Sequence, residues 1–85
     1  MESILSLTNN HMQLELIAVI GKDAFLKRVN DNSYVVCCNM DIHSDFTCTW
    51  GFAYGYFEKY DDAYKCFMDK VVSRFAEYQG NLAGV

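Results

Sequence analysis

Between Asp41 and Asp45 the chain reads DIHSD, so Asp41, His43 and Asp45 alternate and would project together from an extended segment. Two carboxylates flanking an imidazole can hold a metal ion or share a proton in acid–base catalysis. Either role needs further donors, and no other ligand cluster stands near in the sequence to complete a site. The segment is therefore read as a solvated polar connection, and His11, beside Asn10, as exposed loop. Cys37, Cys38, Cys48 and Cys66 contain no C-x-x-C pair and match no zinc spacing. The vicinal Cys37 and Cys38 would point to opposite faces of a strand, and nothing beside them in sequence would stabilise a thiolate. All four are read as small apolar filler. Ser33 and Ser44 lack a G-x-S-x-G setting, and there is no glycine-rich phosphate loop. No catalytic residue, metal site or cofactor is expected.

What remains distinctive is carboxylate and tyrosine. Glu58, Asp61 and Asp62 are the densest acidic cluster, and Asp41 with Asp45 form a second. Were the DIHSD loop to lie near Asp61 and Asp62, the five would make a patch spaced like phosphates; the plainer reading is a capped helix end plus a solvated loop. Tyr54, Tyr56, Tyr60, Tyr64 and Tyr78 outnumber what one small core can enclose, and tyrosine is enriched at protein interfaces. The candidate partner-binding residues are Asp41, Asp45, Tyr54, Tyr56, Glu58, Tyr60, Asp61 and Asp62.

Composition bounds the partner. A formal charge of −4, with only seven scattered Lys and Arg, argues against direct nucleic-acid binding, which needs a clustered basic surface. No run of eighteen apolar residues is present, so no transmembrane helix is expected, and MESILSLTNN has neither a basic leader nor an adequate apolar core for export. The expected location is the cytoplasm of a host cell, with reduced thiols. With 85 residues the chain reads as a single domain, 1–85, small enough to leave apolar surface uncovered. A homodimer that hides this surface is an expectation.

The elements follow from hydrophobic period. Ile4, Leu5 and Leu7 before Asn9-Asn10 read as an extra edge strand or a frayed arm. Met12–Ile20 alternates, with Leu14, Leu16, Ala18 and Ile20 on one face, and reads as a strand. Ala24–Val29 and Ser33–Met40 are the second and third, joined by the hairpin chemistry of Asn30-Asp31-Asn32. A fourth is expected over Phe46–Tyr54, with Phe46, Cys48, Trp50, Phe52 and Tyr54 on one face, Trp50 and Phe52 toward a helix, and Gly55 freeing the strand end. That helix is expected over Tyr60–Tyr78, burying Ala63, Phe67, Val71, Phe75 and Tyr78, broadened by Tyr64, Met68 and Val72 and closed by Gly80. Asp61 and Asp62 suit its first turn. The fold class is α+β, an antiparallel sheet of three to four strands with one C-terminal helix packed on one face.

From Tyr34 onward the succession Tyr34-Val35-Val36, Trp50-Gly51, Gly55-Tyr56-Phe57, then Ala63 and Phe67, resembles small acidic phage and mobile-element proteins of the anti-CRISPR type. The likeness covers about half the chain and lies in its fold core; Glu58-Lys59-Tyr60 departs from the acidic or Ser/Thr cap usual there. It implies a non-enzymatic inhibitor that binds a CRISPR effector and blocks nucleic-acid binding or cleavage through an acidic and tyrosine surface. The alternative is a self-associating module that binds a small molecule or a host regulatory protein, with the aromatics of the fourth strand lining the site.

Overall fold

The computed structural model describes residues 5–83, with side chains over residues 5–76. Its strands are β1 (Ser6–Asn9), β2 (Met12–Ile20), β3 (Asp23–Arg28), β4 (Ser33–Cys38), β5 (Asp41–Ile42), β6 (Cys48–Thr49) and β7 (Phe52–Phe57), followed by one helix, α1 (Tyr60–Ala83). Five strands form an antiparallel sheet in the order β1-β2-β3-β4-β7, and β5 pairs with β6 alone. The class is α+β as read from the sequence, with a larger sheet. The expected edge strand at the N-terminus is β1; Ile4 lies outside the described residues.

Short hairpins set the sheet. Asn9 faces Met12, leaving Asn10 and His11 as the turn, and both have positive φ (47° and 71°), as a type I′ turn requires. Ile20 faces Asp23 across Gly21-Lys22, where Gly21 takes φ 61° without a side chain to strain. Beyond Ser33 and Tyr34, β4 is buried from Val35 to Cys38, because both faces of this strand are covered.

Two cores result. On the helix face, Phe25, Val36, Ala63 and Phe67 are buried together, flanked by Ala18, Tyr34, Tyr54, Phe57 and Val71. On the opposite face Leu7, Leu14, Ala24, Leu26, Val35, Cys37 and Cys48 are buried, with Met40 and Trp50 against them. The alternation expected along β2 is split between the two: a bulge between Leu16 and Ala18 puts Leu14 and Leu16 on one face and Ala18 on the other.

The expected fourth strand is corrected. After β4 the chain leaves the sheet at Asn39 (φ 59°), runs back as the β5–β6 ribbon and turns at Phe46 (φ 65°), whose amide donates to the His43 carbonyl at 3.0 Å. Phe46 is exposed, and Trp50 packs on the face away from α1 rather than under it. Only at Phe52 does the chain rejoin the sheet. Gly55 lies within β7, opposite Val36, and not at a strand end. The Phe57 ring folds back over it, with Cζ 2.9 Å from where a Cβ would stand, so an aromatic covers the bare backbone.

The helix is also longer than expected. Its 24 residues run through Gly80, which therefore does not close it, and take in Asn81–Ala83. At ~1.5 Å per residue α1 measures about 36 Å, against about 20 Å for a six-residue strand. Among the described side chains Arg74 is the last of the helix bonded to the sheet side, and Phe75 beyond it is 62% exposed, not part of the buried stripe. Tyr64 and Val72 are exposed as well. The Tyr78 side chain lies outside the described residues.

Candidate functional site

The most polar buried point is where α1 meets β3. Asp23 is fully buried. Its carboxylate accepts from Arg74 Nε at 3.1 Å, from Arg74 Nη2 at 3.3 Å and from the Tyr54 hydroxyl at 2.7 Å. Arg74 Nη2 also donates to the Tyr54 oxygen at 2.9 Å and to Cys38 Sγ at 3.6 Å. With every buried side-chain polar atom partnered, the cluster is a lock between helix and sheet rather than a reactive centre. Tyr54 is thereby turned inward, its ring under Lys70 Nζ at 5.0 Å, and it offers no free hydroxyl to a partner.

The thiols and Tyr54 give the fold an alkaline limit. Burial pushes the Cys37 thiol from 9.0 up to about 12, helped by the nearby Cys48, Cys38 and Asp23. Burial raises Cys48 as well, and burial with hydrogen bonds to Cys38 and Asp23 raises Tyr54. These groups stay protonated in the fold after they would ionise in the unfolded chain. The Cys37 contribution is complete below its unfolded value of 9.0 and is lost as pH rises toward 12, at about 1.4 kcal/mol per pH unit. Thermal melts from neutral to alkaline pH should fall steadily above that point, and Cys37→Ala should flatten the fall.

The other singled-out side chains separate into three places. Asp41 and Asp45 are exposed on the β5–β6 excursion, which covers the face away from α1. Asp45 accepts from the Thr47 hydroxyl at 2.6 Å and the Thr47 amide at 3.1 Å, which hold its carboxyl below the usual range. Thr49 Oγ1 lies 3.4 Å from His43 Nε2. Among the described residues no group of three or more His, Cys, Asp or Glu is placed to hold a metal ion. Tyr56 faces the same side as Val35, exposed, with the Arg28 guanidinium 5.2 Å from its ring centre.

Glu58, Tyr60, Asp61 and Asp62 lie at the other end of the sheet, because Phe57 pairs with Tyr34 whereas Asp41 follows Cys38. The five carboxylates thus do not form one patch. What the fold does assemble at the start of α1 is an aromatic ladder. Tyr60 packs on Phe25 (5.3 Å between ring centres) and edge-on to Tyr34 (5.6 Å), and Tyr64 stacks on Tyr60 at 6.1 Å with ring planes 11° apart. Tyr60 and Tyr64 remain 46% and 49% exposed, beside the exposed Glu58 and Asp61. The reason is the position of α1, which lies over β3, β4 and β7 and leaves most of β2 uncovered. Tyr64 belongs to this surface, and farther along α1 the exposed Phe75 lines a groove with Ile20, although the helical period of the sequence places both Tyr64 and Phe75 in the core. The signal was there: a stripe holding Ala63, Tyr64, Phe67, Met68, Val71, Val72 and Phe75 is wider than one sheet contact can bury.

Rings held from below and flanked by carboxylates suit a lysine or arginine side chain, which can lie on the tyrosine faces and pair with the acids. Compared with protein-family models, curated proteins and solved structures, the chain matches none. Among the described residues no helix is long and apolar enough to cross a membrane.

Proposed function

We propose that the chain is a non-enzymatic protein-binding module that docks a basic partner surface through Glu58, Tyr60, Asp61 and Tyr64. One observation carries this reading: Tyr60 is anchored on Phe25 and Tyr34 and Tyr64 stacks in parallel on Tyr60, yet each keeps nearly half its surface free. Rings fixed before binding lose little conformational entropy on contact, which is why rigid tyrosines serve as interface anchors. The charge of −4 favours a cationic surface and speeds encounter with it.

The resemblance of Tyr34–Phe67 to anti-CRISPR proteins supplies the partner class. A CRISPR effector holds its guide–target duplex in a positively charged channel, and an acidic, tyrosine-bearing surface seated there would exclude nucleic acid. The experiment is target cleavage by purified effector complexes with increasing amounts of this protein, at low and moderate salt. Inhibition that weakens as salt rises supports the reading; undiminished cleavage by every effector type at low salt rejects it.

A further inference from the structure

The two edges of the main sheet are treated differently. At β1 the edge is short and occupied: the Thr8 amide donates to the Phe46 carbonyl at 3.0 Å, and Asn9 Nδ2 donates to the Cys48 carbonyl at 2.7 Å. At β7 the outer edge reads FAYGYF, six residues without a charge or a proline, and Phe52 and Tyr56 on it are exposed. Its one guard is the bulge opposite Val36–Cys37. Natural edge strands are commonly blunted by charge or proline, and one lacking both is suited to pairing with another chain.

Above this edge, the flank of α1 turned toward β7 carries Asp62, Lys65, Cys66, Asp69 and Lys70, which with Phe57 line a shallow groove. Read along the helix, the charges run minus, plus, minus, plus, with Cys66 near the middle. Reversed, the series becomes plus, minus, plus, minus. An antiparallel copy therefore opposes every charge with its opposite, Asp62 to Lys70 and Lys65 to Asp69, which is the self-complementarity a two-fold interface needs. The strand agrees in level: Lys70 sits over Tyr54 while Phe57 borders Asp62 and Cys66, so the charged flank runs alongside β7 from Tyr54 to Phe57. A two-fold axis through the middle of that span also passes the centre of the charge series.

We propose that a second copy of this chain pairs along β7, antiparallel to the first, extending the two sheets into one and setting the α1 flanks Asp62–Lys70 against each other. This interface uses the flank of α1 opposite Tyr60 and Tyr64, so it goes beyond the docking surface above and leaves that surface free on both protomers.

Sedimentation of the full chain should show a dimer. Lys70→Asp should weaken it about tenfold or more, since like charges would then face across the axis, and Asp62→Lys should do the same. Combining the two exchanges the charges and should restore association, an outcome no unfolding defect produces. Phe52→Lys, which charges the exposed end of the edge without touching the helix, should also give monomers that remain folded by circular dichroism. Cys66 is the one thiol of the four that is not buried, so a short bis-maleimide should link two protomers through it. A monomer at all concentrations, or a dimer indifferent to both single charge reversals, overturns the proposal. Neither result bears on effector inhibition through Tyr60 and Tyr64.

Discussion

Phe67→Ala is expected to lower folding stability by about 3 to 5 kcal/mol, the range for emptying a large aromatic site in a core. Phe67 is 2% exposed and its ring centre lies 5.6 Å from that of Phe25, in the hydrophobic cluster that joins helix to sheet. A domain of this size holds only about 4 to 13 kcal/mol in total, so the variant should lose a large fraction of its stability. Phe67→Leu, which keeps most of the volume, should lose far less. The informative comparison is Phe75→Ala. The helical period of the sequence treats Phe67 and Phe75 alike, whereas the structure leaves Phe75 exposed, so its truncation should stay within about 0.5 kcal/mol. Urea unfolding of the three variants decides between the two readings.

The second large effect belongs to the lock at Asp23. Arg74→Met removes two donors and leaves a fully buried carboxylate held by the Tyr54 hydroxyl alone. Loss of one partner from a fully buried pair costs about 3 to 5 kcal/mol. The Arg74 side chain is 42% exposed, so water can reach the site in part and the expected loss is nearer 2 to 3 kcal/mol. Asp23→Leu combined with Arg74→Met should recover much of that loss, because no unpaired charge is then left behind. If the double variant is as unstable as the sum of the singles, the cluster is not acting as a coupled unit.

Both effects bear on how much of this molecule its sequence made legible. Alternation from Met12 to Ile20 gave β2 with its bounds, and the β-branched run from Ser33 gave β4, since strand patterning is local. The start of α1 at Tyr60 and the buried Ala63 and Phe67, with Val71 partly buried beside them, are legible for the same reason. Phe46–Tyr54 misled because its alternation of large and small residues is real, but Phe46 takes a left-handed conformation and the chain quits the sheet there to cover the face opposite α1. Nothing local announces that the far face needs a cover. Nor does local pattern show where the sheet ends beneath the helix, so the helical period places Phe75 in the core and gives no sign of the Arg74 lock. The candidate surface was half legible. Glu58, Tyr60 and Asp61 do stand together, while Tyr54 is drawn inward, and Asp41, Asp45 and Tyr56 lie on the other face of the sheet. Asp62 belongs to the α1 flank nearer β7.

The exposed tyrosine pair is the claim on which the functional reading stands, and Tyr64 tests it with least disturbance, because its ring stacks on Tyr60 and is half exposed. The measurement is the affinity of Tyr64→Ala for an effector that the unaltered chain inhibits, taken beside its urea midpoint. An affinity loss of about fivefold to thirtyfold, as for an interface anchor worth 1 to 2 kcal/mol, with the midpoint unchanged, is the expected result. Full affinity in Tyr64→Ala and again in Tyr60→Ala would contradict the account and move the contact elsewhere on the molecule.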